Sequence, residues 1–306
     1  MGREFINSAI QNVRRGTARR CDRRPDLQPP IPGIDRMVES TVRPGVRVRC
    51  RRWAILDLML VENKRGNYFF LKGIAPYSAG FVAGTGFEVI HVRFSRYISL
   101  RAGFDAVEAH LKRAGRPRQA MCGMELRSPK PLSFTGFNQF NAGYIDVLKK
   151  WDILFDGMNP VARTNVAPKV IPPGEPSLYG FSYTVRSKAR RKTFVVAGAG
   201  ELPEGSLEAH DVVRRGESSA AAIQEKAHFV MGLMEGRLRG LGVGWSDVTV
   251  SEIYTVHDIR PFLEQEILKR LEEGAAHGLT WHYSRPPIVS IEYEMDLRGC
   301  VTELVI

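Results

Sequence analysis

From Lys192 onward the apolar pattern reads strand, long helix, strand, helix, strand, and a fainter copy of that order occupies residues 68–185. Strands alternating with helices in this way bury one face of a sheet beneath helices, an α/β (α+β) arrangement. Written twice, the pattern predicts a tandem pair of units, each a mixed sheet with two helices packed on one face. A repeat that keeps different polar residues in its two copies also predicts one site built from a degenerate pair.

In the second copy, Phe194-Val195-Val196 reads as a buried strand running into Ala197-Gly198-Ala199-Gly200. Ile223, Ala227, Val230, Met234, Leu238 and Leu241 keep steps of three and four, so a helix is expected over 217–239, ended by Gly240, Gly242 and Gly244. Residues 248–256 are β-rich, and a second helix is expected over 259–273, with Pro261 tolerated in its first turn. The closing strand is expected over 287–296. There Val289, Ile291, Tyr293 and Met295 alternate with Ser290, Glu292, Glu294 and Asp296, the period of a half-buried strand.

The first copy is less clean. Strands are expected at 68–71, 87–94 and 119–126. Helices are marked by Phe104, Val107, Leu111 and Ala114, and by Phe137, Phe140, Tyr144, Val147 and Trp151. The polar, Pro-rich stretch 159–176 reads as a loop before a closing strand at 178–185. The basic run 186–192 is the expected link, giving a degenerate first unit at 37–186 and a second at 187–306.

Charge narrows the class of partner. Of the formal +11 carried by 306 residues, +4 comes from eight Arg and four Asp or Glu within residues 1–36. That segment has no apolar period and reads as a disordered or non-native extension, with Met37 a sensible start. The remaining excess is spread out, without the basic stripe interleaved with aromatics that nucleic acid requires. An anionic small molecule is the better use of surplus arginine. No apolar run approaches the ~20 residues of a membrane span, and no signal peptide opens the chain, so a cytoplasmic location is expected.

Several chemistries lack their residues. Cys21, Cys50, Cys122 and Cys300 show no CxxC spacing, and the seven histidines show no HxxxH or HExxH, so no metal is expected. Gly198-Ala199-Gly200 lacks the third glycine of a dinucleotide fingerprint, and Pro203 interrupts the helix it needs. There is no phosphate loop and no GxSxG elbow.

Three features remain. Glu292 shares its strand face with two further acids, and crowding like charges raises a carboxyl pKa toward acid/base use; a solvated strand-face carboxylate is the alternative. Arg163 and Asn165, in Asn159-Pro160-Val161-Ala162-Arg163-Thr164-Asn165-Val166, suit a fork on a carboxylate or a plain surface loop. Tyr77, in 74–80, either orients a ligand or packs a turn.

Those residues carry a resemblance. Ala75-Pro76-Tyr77-Ser78 resembles the "GPYS" element of the RidA-type enamine/imine deaminases, and 161–166 resembles their "PARSCV". Residues 192–294, with the Gln224-bearing helix and the closing "IEYE", resemble the same family. Among fused tandem branches, "NPVARTNVAP", "FVVAGAGEL" and "SRPPIVSIEYEMDLRG" look most like the 2-aminomuconate (2-amino-5-chloromuconate) deaminases; the chorismatases are the other such branch.

The resemblance implies a RidA-like (chorismate-mutase-like) fold in each half and metal-free, cofactor-free hydrolytic deamination of an enamine dicarboxylate. Ammonia and a 2-oxo/2-hydroxymuconate would leave, as in aromatic degradation. Glu292 would handle water and proton, and Arg163 would clamp one carboxylate. Asn165, Tyr77 and the backbone amides of Ala197 and Gly198 would assist, with Arg285 on the second carboxylate. A homotrimer is implied.

The chain departs from the family in keeping the arginine only in the first copy and the glutamate only in the second. Either a composite site spans the halves or Arg285 replaces the lost arginine. A chorismatase-like enzyme and a non-catalytic binding protein are the alternative functions.

Overall fold

Two mixed sheets form within residues 59–306, the part of the chain that the computed structural model describes. These residues lie within one compact unit. The expected 1–36 extension, Met37, Cys21 and Cys50 lie outside the described residues.

The strands and helices run in the order β1 (Leu60–Asn63), β2 (Tyr68–Leu71), β3 (Gly80–Ala83), β4 (Phe87–Ser99), α1 (Leu100–Arg113), β5 (Met121–Arg127), α2 (Phe134–Lys150), β6 (Ala162–Pro168) and β7 (Ser177–Arg186). There follow β8 (Phe194–Gly200), α3 (Ala220–Leu241), β9 (Val250–Tyr254), β10 (Thr280–His282), β11 (Ser284–Arg285), β12 (Glu294–Gly299) and β13 (Thr302–Val305). One sheet has the order β1-β2-β3-β8-β12-β9-β10 and the other β11-β6-β5-β7-β4-β13. The repeat is visible in the centres of the sheets. The orders β8-β12-β9-β10 and β4-β7-β5-β6 match, each with one parallel pair, β9 with β10 and β5 with β6, among antiparallel neighbours.

The ends of the chain cross between the copies. The early hairpin strands β1–β3 join the late sheet through β3 and β8, while the C-terminal β13 pairs in parallel with β4 of the early sheet. The sheets are therefore not divided at residue 186.

Helices cover the outer faces. Ser99, Ser133 and Ser219 cap α1, α2 and α3 by accepting from the N–H of Ala102, Gly136 and Ala222. Gly242, in the left-handed region at φ 67°, ends α3 as the glycine pattern predicts. Phe104, Val107, Leu111, Tyr144 and Leu148 of α1 and α2 pack on Val92, Met124 and Phe181. Ile223, Ala227, Val230, Met234 and Leu238 of α3 pack on Val196, Met295 and Leu297. Each fully buried side chain of such a stripe stabilises the fold by roughly 1.5–3 kcal/mol. The inner faces of the two sheets meet around Phe81, Cys122, Ala162 and Ala197.

Three expected elements differ. Residues 159–176 are not all loop, because 162–168 form β6, buried along nearly its whole length. A strand covered on both faces has no alternating polar side to betray it. The expected helix over 259–273 is a π-helical segment, Leu263–Leu268, and a 3-10 segment, Glu272–His277, so the late sheet carries one α-helix rather than two. Buried Phe262 and Ile267 are five residues apart, a step that α geometry would rotate off the face. The closing strand begins at Glu294, not at 287. Ser290, at φ 79°, sits in a turn that breaks the alternation before it reaches the sheet.

Candidate functional site

β6 of one sheet and β8 and β12 of the other converge on a small open cleft. Gly198 to Gly200 of β8, Arg163 and Asn165 of β6, and Glu294 of β12 line it. Phe137 of α2, Tyr77 and the 202–207 loop complete the wall.

Arg163 is the cationic end. Its guanidinium is buried among four rings, with centroids at 4.8 Å for Tyr77 and Tyr144, 5.5 Å for Phe137 and 5.7 Å for Phe140. NH2 donates to Asn141 Oδ1 at 2.7 Å, whereas NH1 is buried without a hydrogen-bond partner among the described residues. Asn165 Nδ2 is likewise buried and unpaired, while its Oδ1 accepts from Ser128 Oγ at 2.9 Å. Unpaired buried donors on a cavity wall are costly in an empty fold and suit an arriving anion. Tyr77 is set beside them by its neighbours. Asn159 Nδ2 donates to Pro76 O at 2.7 Å and Ser78 Oγ to Pro160 O at 3.1 Å, tying the Tyr77 turn to the approach of β6.

Glu294 is the carboxyl end. It is 4 % exposed, and its side chain makes no hydrogen bond or ion pair with the described residues. Burial first, and then the negative charge of Glu201, push its pKa up to about 8, against the opposing pull of Arg163, Arg127 and Arg237. Burial thus favours the protonated form, a carboxylic acid with a proton to give. Gly198 makes room for it, since a Cβ there would overlap Glu294 Oε1 and press on Thr164.

The surrounding charges are arranged in pairs. Glu201 and Lys226, both fully buried, meet at 2.9 Å, and Glu201 also accepts from the backbone N–H of Glu292 at 2.7 Å and Tyr293 at 3.1 Å. This clamps the chain just before Glu294. Arg237 of α3 donates to both carboxylate oxygens of Glu204, at 2.6 and 3.1 Å, and to Ala197 O at 2.8 Å. Beneath the cleft, Thr164 Oγ1 donates to Asp296 Oδ2 at 2.6 Å across the sheets.

The structure brings Tyr77, Arg163, Asn165 and Gly198 together in this cleft and leaves Glu292 and Arg285 out of it. Glu292 Oε2 instead lies 2.8 Å from His257 Nε2 and accepts from Arg285 NH1 at 3.0 Å. The turn at Ser290 keeps Glu292 off the strand, and the acid of that face that reaches the cleft is Glu294. Arg285, held by Glu292, is not placed to meet a second carboxylate in the cleft. The backbone amides of Ala197 and Gly198 are also committed, donating to Ala79 O and Thr164 Oγ1 at 3.1 Å each. Glu294, Arg237, Glu204 and Glu201 were not singled out from the sequence. For Glu294 the signal was there, on the same face as Glu292; the other three carry no pattern in the chain that marks them.

Residues 60–304 match the family model described as 2-aminomuconate deaminase CnbZ. A 2-amino-5-chloromuconate deaminase from Comamonas testosteroni is 43% identical over 244 residues, which cover 79% of this chain and 96% of the relative. Among solved structures, a chorismatase covers 76% of this chain and 75% of its own at 12% identity and a TM-score of 0.42. A Thermotoga maritima protein described as an endoribonuclease covers 44% and 91% at 17% identity and a TM-score of 0.26. Neither structural likeness is close enough to carry a conclusion. The family match spans nearly all of the described chain, with Arg163 from the first copy and Glu294 from the second both inside it, and the chain belongs to the 2-aminomuconate deaminase family.

Proposed function

We propose that the cleft hydrolytically deaminates 2-aminomuconate-type enamine dicarboxylates, with Glu294 as the acid and Arg163 as the carboxylate clamp. The observation that carries this reading is a buried carboxyl, its pKa pushed up by burial, and a caged arginine with a free donor in one cavity. Deaminase activity is the family's, and the geometry supplies a route to it.

An enamine is nucleophilic at the carbon next to the one bearing nitrogen. Arg163 NH1 and Asn165 Nδ2 hold one carboxylate and so fix that carbon against Glu294. Glu294 gives its proton to the carbon, and the nitrogen lone pair becomes the second bond of an iminium. The carboxylate left behind takes a proton from water as the oxygen adds to the iminium carbon. That proton moves to nitrogen, the C–N bond breaks, and ammonia leaves as the carbonyl closes. The carbinol proton returns to Glu294. The balance is one water in and one ammonia out, leaving a 2-oxo acid that tautomerises to the 2-hydroxymuconate. Tautomerisation supplies the electrophile, so the scheme calls for neither metal nor organic cofactor.

Purified protein should release ammonia from 2-aminomuconate or 2-amino-5-chloromuconate, and chorismate should yield no pyruvate. Ammonia from neither enamine sinks the reading. For assembly we keep a homotrimer. Exposed Val170, Ile171, Trp281 and Tyr283 lie on adjoining segments joined by Lys169 N–H to Tyr283 O and offer an apolar face for a second copy. Light scattering on the eluting protein tests it.

A further inference from the structure

Arg237 presents a carboxylate seat that the chain itself fills. Its Nε and NH2 grip both oxygens of Glu204, while its NH1 is fixed to Ala197 O of β8 at 2.8 Å. The third bond keeps the fork aimed the same way whether or not Glu204 is present. Both residues line the cleft that holds Arg163 and Glu294, and the phenol of Tyr77 senses the charge of all four.

Glu204 is held far less firmly than its partner. It occupies the second position of a tight turn closed by Ser206 N–H donating to Pro203 O at 3.1 Å, with Gly205 at φ 80°. Leu202 and Leu207 anchor the turn on either side by packing with Phe137, Ile288 and Ile291, so opening is confined to the few residues between them. Charge points the same way. With Glu294 protonated, Arg163 and Arg237 against Glu204 leave one net positive charge, a match for one carboxylate but not for two.

We propose that Glu204 is a built-in stand-in for the substrate's second carboxylate, which displaces it from Arg237 and so selects dicarboxylates over monocarboxylates. This rests on the dicarboxylate reading above. A ligand with one carboxylate fills the Arg163 end and leaves the Arg237–Glu204 pair closed.

The test uses two unreactive ligands of the same carbon skeleton and alkene geometry, trans,trans-muconate with two carboxylates and sorbate with one. By titration calorimetry, E204Q should bind muconate about tenfold more tightly than the parent protein, with sorbate unchanged. Equal gains for both ligands, no gain for muconate, or no muconate binding would overturn the proposal. Hydrogen exchange on the parent protein avoids any damage that the substitution does to the turn. Amides of 204–207 should exchange faster with muconate and not with sorbate, and protection or no change overturns the idea. Neither measurement uses turnover. A muconate-specific response without deamination removes the activity and keeps the seat, whereas deamination with no response at Glu204 removes the seat alone.

Discussion

Glu294 is able to lie where it does because residue 198 has no side chain: the space that a Cβ of Gly198 would take is occupied by Glu294 Oε1. Gly198→Ala should therefore displace the carboxyl while β8 stays in place. Turnover is expected to fall by more than about tenfold with little change in melting temperature, since proximity effects are steep. Steady-state kinetics beside a thermal scan will show whether the two separate.

Exchanging the two neighbouring acids decides which one works. Glu294→Gln should lower kcat by about 10²–10⁴, the usual contribution of a positioned acid. Glu292→Gln should leave most of the activity, because Glu292 faces His257 and Arg285 outside the cleft. The reverse result would return the catalytic role to Glu292.

The pH profile follows from the same group. Glu294 acts protonated, so kcat should fall as pH rises through about 8. Its folded pKa lies above the ordinary 4.5. Between those values the folded chain keeps a proton that the unfolded chain loses, so Glu294 makes the protein less stable as pH rises. Glu294→Gln removes that slope, and its stability should gain on the parent's from pH 4.5 to 8 in denaturant titrations.

Arg163→Lys keeps the charge and loses the fork and the fit among four rings. KM should rise by about tenfold or more with a smaller change in kcat. A change confined to kcat would show that Arg163 does not hold the ground-state carboxylate.

Lys226→Met strands Glu201 in the core without its cation and should cost about 3–5 kcal/mol. Adding Glu201→Gln should recover part of that loss, which a double-mutant cycle by chemical denaturation measures.

The duplicated order was legible because α1, α2 and α3 each show a stripe of apolar residues at steps of three and four. What stayed hidden is buried on both sides. β6 is such a strand, and its Arg163 and Asn165 read as loop residues because Pro160, Pro168 and the polar run beyond dominate that stretch. Glu292 and Glu294 are alike by alternation. What separates them is the φ of Ser290, which no pattern of side chains declares. Arg237 and Glu204 sit far apart in the chain, so their pairing is a property of the fold alone.

The crossing of chain ends between copies has a consequence for recognition. Two identical halves would offer a substrate the same groups at both ends. Here the halves are interlocked but unlike, with a caged arginine from one and a protonated carboxyl from the other. A dienedioate is nearly symmetric, and its two ends differ by little more than one amino group. A lopsided cleft can tell head from tail and take such a molecule in one direction only.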